Sequence, residues 1–398
     1  MSDPKNFRFN LKAMINKQKT KVLYVETDSD FTDVLLSFLT LPLGTIVKVL
    51  KKHYGDVVPV LGSLTTLYTG LHNLDSGLFN IPGFKNLLLN PINPSLEKCC
   101  RLKINVYGTQ PTGLDAKDGV FIKSKSTLII TDDLQVLHGV MGSAVQIFRN
   151  SGITDTVGIE ERNLTFGFDE IMDLLRGLLF SQSPLTELIL GKKTIDNIAV
   201  KCETIGNQQT ESCKVEKMTV KAIFQESTNK LLFVEADDDF VDFLFGLLAL
   251  PLGVVECLLG GDTYLKNIDN LYKTVENIQR DKLFNMTYDL LRPNFTNAYG
   301  SGASISSFPK WRPKYFEGKS MYMVMDDLTV TPLSTTSGIS ILNSLKIPFS
   351  DVKEMKLLVG LEEAKSILKA SLTSACALTD GLFNPVLMKQ PKQEANEI

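Results

Sequence analysis

Two clusters of aspartates are the residues in this chain whose type and spacing could do chemistry. Asp28, Asp30 and Asp33 stand together near the N-terminus; Asp237, Asp239 and Asp242, with Asp238 among them, stand together past the midpoint. Each cluster follows a run that reads as a strand and opens one that reads as a helix, where carboxylate oxygens can gather around Mg²⁺. The same placement also suits a structural role. A carboxylate at a helix start accepts unpaired backbone N–H groups and faces the positive end of the dipole. Asp30 and Asp239 are the expected N-caps, with Asp33 and Asp242 three residues on in capping-box-like positions. Capping is the preferred reading, because it needs no further ligands.

Asp132-Asp133 and Asp326-Asp327 end two further apparent strands. Paired carboxyls could share acid–base or metal work. Aspartate also initiates turns by accepting from backbone two residues on, and the turn is the expectation here. Trp311 sits in Phe308-Pro-Lys-Trp-Arg-Pro-Lys-Tyr-Phe316, where alternating cations and rings could grip an anion or stack on bases; an aromatic surface loop explains it as well. His53, His72 and His138 have no nucleophile or carboxylate at a motif spacing. Cys99, Cys100, Cys202, Cys213, Cys257 and Cys376 form no C-x-x-C pair, so free thiols in a reducing compartment are expected, and zinc is not. Gly260-Gly261-Asp262 and Gly300-Ser-Gly302 lack the context of a phosphate loop. No cofactor is evident.

The elements that must position these residues occur twice. Lys21-Val-Leu-Tyr-Val-Glu-Thr-Asp28 matches Lys230-Leu-Leu-Phe-Val-Glu-Ala-Asp237, and the match runs ungapped to Leu41-Pro-Leu-Gly44 and Leu250-Pro-Leu-Gly253, with about 14 of 24 positions identical. Leu67-Tyr68 and Leu271-Tyr272 correspond, as do Asp132-Asp-Leu134 and Asp326-Asp-Leu328. So do Gly167-Phe-Asp-Glu170 with Leu185-Thr186 and Gly360-Leu-Glu-Glu363 with Leu378-Thr379. Blocks recurring in one order mean that a whole unit was duplicated. The expected layout is unit one at 1–190, a polar linker at 191–217, unit two at 218–390 and a tail at 391–398. Each unit predicts a hairpin, a helix interrupted at Pro42 or Pro251, a second helix carrying Leu64, Leu67, Leu71 and Leu74 in unit one, a strand ending at the Asp-Asp pair, and a closing amphipathic helix. Short strands with several amphipathic helices make the fold class α+β, as two tandem copies of one unit.

Phe240-Val-Asp-Phe-Leu, Leu250-Pro-Leu-Gly253, Asp269-Asn-Leu-Tyr-Lys-Thr-Val-Glu-Asn277, Met323-Val-Met-Asp-Asp-Leu-Thr-Val-Thr-Pro-Leu333 and Leu368-Lys-Ala-Ser-Leu-Thr-Ser374 resemble the plant family called domain of unknown function 674. The resemblance covers nearly the whole chain. It implies a plant source and this repeated layout, and it carries over no activity. Relatives often have cysteine pairs ahead of the first Asp-Asp-Leu; this chain has no cysteine between Arg101 and Asp133, so no metal or redox role for such pairs transfers.

Composition bounds the remaining choices. The apolar fraction of 43%, charged fraction of 22% and net charge of −3 are those of an ordinary soluble protein, without the bulk positive charge of a nucleic-acid binder. The N-terminus has no secretory or transit signal, so the cytoplasm is the expected location. Phe31 to Leu50 and Phe240 to Leu259 approach membrane-spanning length, but early acids and the Pro-x-Gly breaks favour buried helices. The expectation is therefore a non-enzymatic intracellular protein that binds a protein or ligand partner at the groove between its units. The rivals are a metal-assisted enzyme built on the acidic clusters and a peripheral membrane protein.

Overall fold

The polar run after Asn16 reverses the chain, and the computed structural model pairs Phe9–Asn16 (β1) with Lys21–Thr27 (β2) as an antiparallel hairpin. The structure describes residues 7–18, 20–57, 59–81, 83–107, 119–122, 127–191, 217–278, 288–292, 295–296, 302–303, 308–309, 314–316 and 320–389. Trp311, the expected tail and all of the expected linker except its two end residues lie outside the described residues.

Unit one continues through α1 (Ser29–Ser37), a 3-10 turn at Phe38–Thr40, α2 (Leu43–Tyr54), α3 (Leu64–Asn73), α4 (Phe84–Leu89) and α5 (Leu96–Cys99). A second hairpin, β3 (Leu128–Thr131) and β4 (Val136–His138), leads to α6 (Met141–Asn150), β5 (Ile159–Phe166), α7 (Phe168–Phe180) and α8 (Pro184–Leu190). Unit two repeats the plan: β6 (Met218–Gln225), β7 (Lys230–Asp237), α9 (Asp238–Leu247), α10 (Leu252–Leu259), α11 (Lys266–Ile278) and α12 (Tyr288–Leu291). After the short pair β8 (Phe295–Thr296) and β9 (Gly302–Ala303) come β10 (Met321–Val324), β11 (Val330–Pro332), α13 (Thr335–Leu345), β12 (Val352–Val359) and α14 (Leu361–Thr373). A π-helical turn at Thr379–Phe383 and α15 (Asn384–Lys389) follow.

The fold is α+β, with two five-stranded antiparallel sheets of equivalent strand order, β4-β3-β2-β1-β5 and β11-β10-β7-β6-β12. Even the irregularity is duplicated. The hairpin register shifts between Met14 and Ile15 in one sheet and at the equivalent Ile223 and Phe224 in the other.

One continuous core takes the inner faces of both sheets together with the central helices. The outer faces are covered separately. Leu23, Tyr24 and Ile129 pack under Ala144 of α6, and Ile223, Leu232, Phe233 and Met323 pack with Leu342 of α13. Leu35, Leu36, Leu39, Leu41, Leu244, Phe245, Leu248 and Leu250 are all buried. At roughly 1.5–3 kcal/mol each, they are a large part of what holds the fold. The two apolar runs therefore form no exposed patch. Among the described residues no helix is long and apolar enough to cross a membrane.

The Leu-Pro-Leu-Gly motif that interrupts each run is where the units meet. Pro42 faces Pro251 in an antiparallel bridge. Leu43 N–H donates to the Leu250 carbonyl at 2.9 Å, and Leu252 N–H donates to the Leu41 carbonyl at 3.1 Å, which is the same bond made by equivalent atoms in the opposite direction. Such reciprocity is what a two-fold relation between like surfaces requires. Glycine follows because a Cβ on Gly44 would lie 3.1 Å from the Leu248 carbonyl oxygen of unit two, and one on Gly253 would lie 3.3 Å from that of Leu39 in unit one and 2.0 Å from that of Leu290 in its own unit.

Candidate functional site

The aspartates of each first cluster do three different jobs. The N-cap is Asp28, not Asp30: it stands in extended backbone and accepts from Phe31 N–H at 3.0 Å. In unit two it is Asp237, not Asp239, accepting from Phe240 N–H at 3.3 Å. The cap lies two residues earlier than expected because Ser29-Asp30 and Asp238-Asp239 already have helical geometry. Asp30 and Asp239 instead occupy the first turn, where a negative charge complements the dipole, and Asp239 also pairs with Lys314 at 2.7 Å.

Asp33 and Asp242 make no capping box. Asp33 is buried, and its carboxyl accepts the backbone N–H groups of Val120 (2.6 Å), Phe121 (3.0 Å) and Ile122 (3.0 Å), fixing the segment that leads to β3. Burial outweighs those bonds and raises its pKa to about 7. Asp242 accepts Tyr315 N–H at 3.0 Å in the equivalent place, and burial followed by the Asp238 charge raises it to about 8. Unit one also holds this segment: Asn80 N–H donates to the Tyr315 carbonyl at 2.9 Å, and the Phe79 and Phe316 rings stand 4.7 Å apart.

The Asp-Asp pairs sit in the β3–β4 and β10–β11 turns. In each turn the following leucine, Leu134 or Leu328, is buried with positive φ (61° and 65°). Asp132 receives the backbone N–H and the hydroxyl of Thr186, both at 2.8 Å, at the start of α8. Asp326 receives the same two groups from Thr379, at 2.8 and 2.7 Å. Burial is the main cause that raises both carboxyls above the ordinary range. The Asp-Asp-Leu and Leu-Thr blocks of the repeat are thus two sides of one contact.

Their neighbours tie the units together. Asn270 Nδ2 donates to the Asp133 carbonyl at 2.9 Å, and the equivalent Thr66 hydroxyl donates to the Asp327 carbonyl. Lys266 pairs with the Asp133 carboxylate at 3.0 Å; with the Thr131 hydroxyl, it holds that group low despite partial burial. Asp327 accepts Thr329 N–H at 3.0 Å, the turn chemistry expected of it. Two more equivalent residues cap the ends of the closing helices across the interface. Asn267 donates to the Ser181 carbonyl at 2.6 Å, and Ser63 donates to that of Ser374 at 2.7 Å. Among the described residues no three His, Cys, Asp or Glu side chains stand where they could share a metal ion.

A cavity of about 530 Å³ lies elsewhere, on the far face of α2 in unit one. Val49, Pro91, Val106, Phe168 and Met172 supply its apolar wall, and Tyr107 adds a ring. Lys48, Lys52, His53 and Asn90 supply its polar side. Lys48 is bonded to the Asn90 amide oxygen. The His53 ring stacks edge-on against Tyr54 and Phe168 at 4.6 and 5.8 Å, with the exposed Asp169 carboxylate 3.9 Å from Nε2. A smaller cavity of about 360 Å³ lies in the groove between the units, lined by Val136 and His138 on one side and Asn270, Lys273 and Thr274 on the other.

Of the cleft's polar residues only His53 stood among the sequence candidates, although one further signal was present. In ungapped register Lys48, Lys52 and His53 correspond to Cys257, Gly261 and Asp262. Helix α10 ends at Leu259 with Gly260 in the left-handed region, where α2 runs on to Tyr54. The duplication kept the scaffold and changed this face.

The family described as "Protein of unknown function (DUF674)" matches residues 5–114, 112–310 and 315–398. The chain belongs to this family. The second matched segment crosses from unit one into unit two, in keeping with halves that share a core. No curated protein and no solved structure matches the chain.

Proposed function

We propose that this DUF674 protein is a binding protein whose ligand site is the cleft on α2 of unit one. The observation that carries the reading is the divergence of the two copies. Several repeated polar residues, such as Asp28 and Asp237 or Asp132 and Asp326, bond the scaffold in the same way in both units, whereas the α2 face carries two lysines and a histidine in one copy only. A volume of about 530 Å³ is in the range of small-molecule sites. The acidic clusters receive no catalytic role here, because six of their carboxylates have a structural use: Asp28 and Asp237 as caps, Asp33 and Asp242 as latches on Val120–Ile122 and Tyr315, and Asp132 and Asp326 as clasps on Thr186 and Thr379. The groove between the units is the second candidate for a partner, and it is smaller and crossed by the Asn270–Asp133 bond.

The test is thermal unfolding in the presence of a panel of small amphiphiles. Binding to the native state raises the midpoint. Some panel members are expected to raise it in the wild type and not in Asn90→Trp, which places an indole on the exposed rim of the cleft. Ligands that stabilise both proteins equally would remove the cleft from consideration.

A further inference from the structure

The cleft has a polarity, and from it we infer the chemistry of its occupant: a small organic anion, with a carboxylate or phosphate head at Lys48 and Lys52 and an apolar body against Val49, Phe168 and Met172. This rests on the reading of the cleft as the ligand site. Lys51, Lys52 and His53 lie in the last turn of α2, where cations suit the helix dipole. The dipole does not account for Lys48, one turn earlier. Lys48 and Lys52 are spaced i,i+4, so their charges repel along one helix face. Lys48 bonds the Asn90 amide oxygen, and the apolar wall of the cleft stands beside both lysines. The Asp169 carboxylate near this rim faces His53, and its side chain is 79% exposed. A bound anion would join the two ammonium groups, and the wall would take the rest of the molecule out of water.

Unit two shows what the same helix pair does without such a ligand. Lys369 of α14, equivalent to Arg176 of α7, is buried, bonds Asp262 at 2.8 Å and lies 3.4 Å from the centre of the Tyr264 ring. The cation of unit two is satisfied internally by an acid standing where unit one has His53. Arg176 is likewise satisfied internally, by Asp173 at 3.3 Å and the Tyr54 ring centre at 5.3 Å, whereas Lys48 and Lys52 have no counterpart in unit two, where Cys257 and Gly261 stand.

Calorimetric titration of the full chain with decanoate, decyl phosphate and decanol, all as monomers, tests this. The two anions should bind at least about tenfold more tightly than decanol, the increment of one charge-assisted hydrogen bond. Lys48→Gln/Lys52→Gln, with both changes on exposed residues, should abolish that preference while leaving decanol unchanged. The better of the two anions identifies the head group. Equal binding of decanol and decanoate, or a preference that survives the double substitution, would overturn the charge assignment and leave the cleft reading intact. Failure of all three to bind, or binding untouched by Asn90→Trp, would overturn both. Binding only to vesicles containing phosphatidylglycerol would replace the small anion with a membrane surface.

Discussion

Thr186 gives Asp132 both its backbone N–H and its hydroxyl, each at 2.8 Å, and the same hydroxyl accepts Val22 N–H at 2.9 Å. One threonine therefore joins the β3–β4 turn, the start of α8 and strand β2. Asp132→Ala should cost about 1–3 kcal/mol, since it strands buried donors. Asp326→Ala should behave alike, because Thr379 makes the same pair of bonds. Urea denaturation of Asp132→Ala, Thr186→Val and the double variant should return a coupling energy of at least about 0.5 kcal/mol. Strict additivity would mean that the contact contributes nothing specific.

The position of the caps makes a sharp contrast between neighbours. Asp28→Asn and Asp237→Asn should be nearly neutral, because asparagine caps as well as aspartate, while the alanine variants should cost about 1 kcal/mol each. Asp30→Ala, which removes a first-turn charge and no cap, should cost less than Asp28→Ala. Equal losses at Asp28 and Asp30 in chemical denaturation would contradict the cap assignment.

Glu256 of α10 is fully buried, and its pKa is raised to about 9, first by burial and then by the neighbouring Asp269. Because the folded value lies above the ordinary 4.5, this group's contribution to stability is complete below about 4.5 and is lost as pH rises towards about 9. Asp33 (about 7) and Asp242 (about 8) act with the same sign. Glu256→Gln should therefore be more stable than wild type by on the order of 3 kcal/mol at pH 8, with the gap nearly closed at pH 5. Unfolding midpoints across pH 5–9 that run parallel for the two proteins would contradict this.

The two glycines of the dyad motif should differ. Gly253→Ala puts a methyl group 2.0 Å from the Leu290 carbonyl oxygen, whereas Gly44→Ala meets its nearest atom at 3.1 Å. Overpacking costs about 1–3 kcal/mol, so Gly253→Ala should lie at or above the top of that range and Gly44→Ala near the bottom. Denaturation curves in the reverse order would show that the close approach of α12 to α10 is misplaced.

Much of this architecture was legible in the sequence. The recurring Leu-Pro-Leu-Gly block holds the dyad, and the Asp-Asp-Leu and Leu-Thr blocks hold each unit's turn to its closing segment. What could not be read was which block touches which, since bonds such as Asn270 to Asp133 join positions 137 residues apart. Strands β5 and β12 escaped notice for a physical reason. They lie at sheet edges, and Ile159-Glu-Glu-Arg-Asn-Leu-Thr-Phe166 buries only its last residue fully, so its alternation is faint. The caps were misplaced because Asp28-Ser29-Asp30 and Asp237-Asp238-Asp239 each offer several equivalent candidates. The cleft was missed because Lys48 and Lys52, read singly, are ordinary solvated lysines; only the contrast with Cys257 and Gly261 marks them.

The ligand cleft is most directly tested by mapping amide chemical shifts of the full chain during a decanoate titration. The shifts should concentrate between Thr45 and His53 and between Phe168 and Met172, with Val254 to Asp262 of unit two unmoved. Shifts centred instead on Val136, His138, Asn270 and Thr274, or on the unit-two positions, would contradict the assignment of the site to unit one.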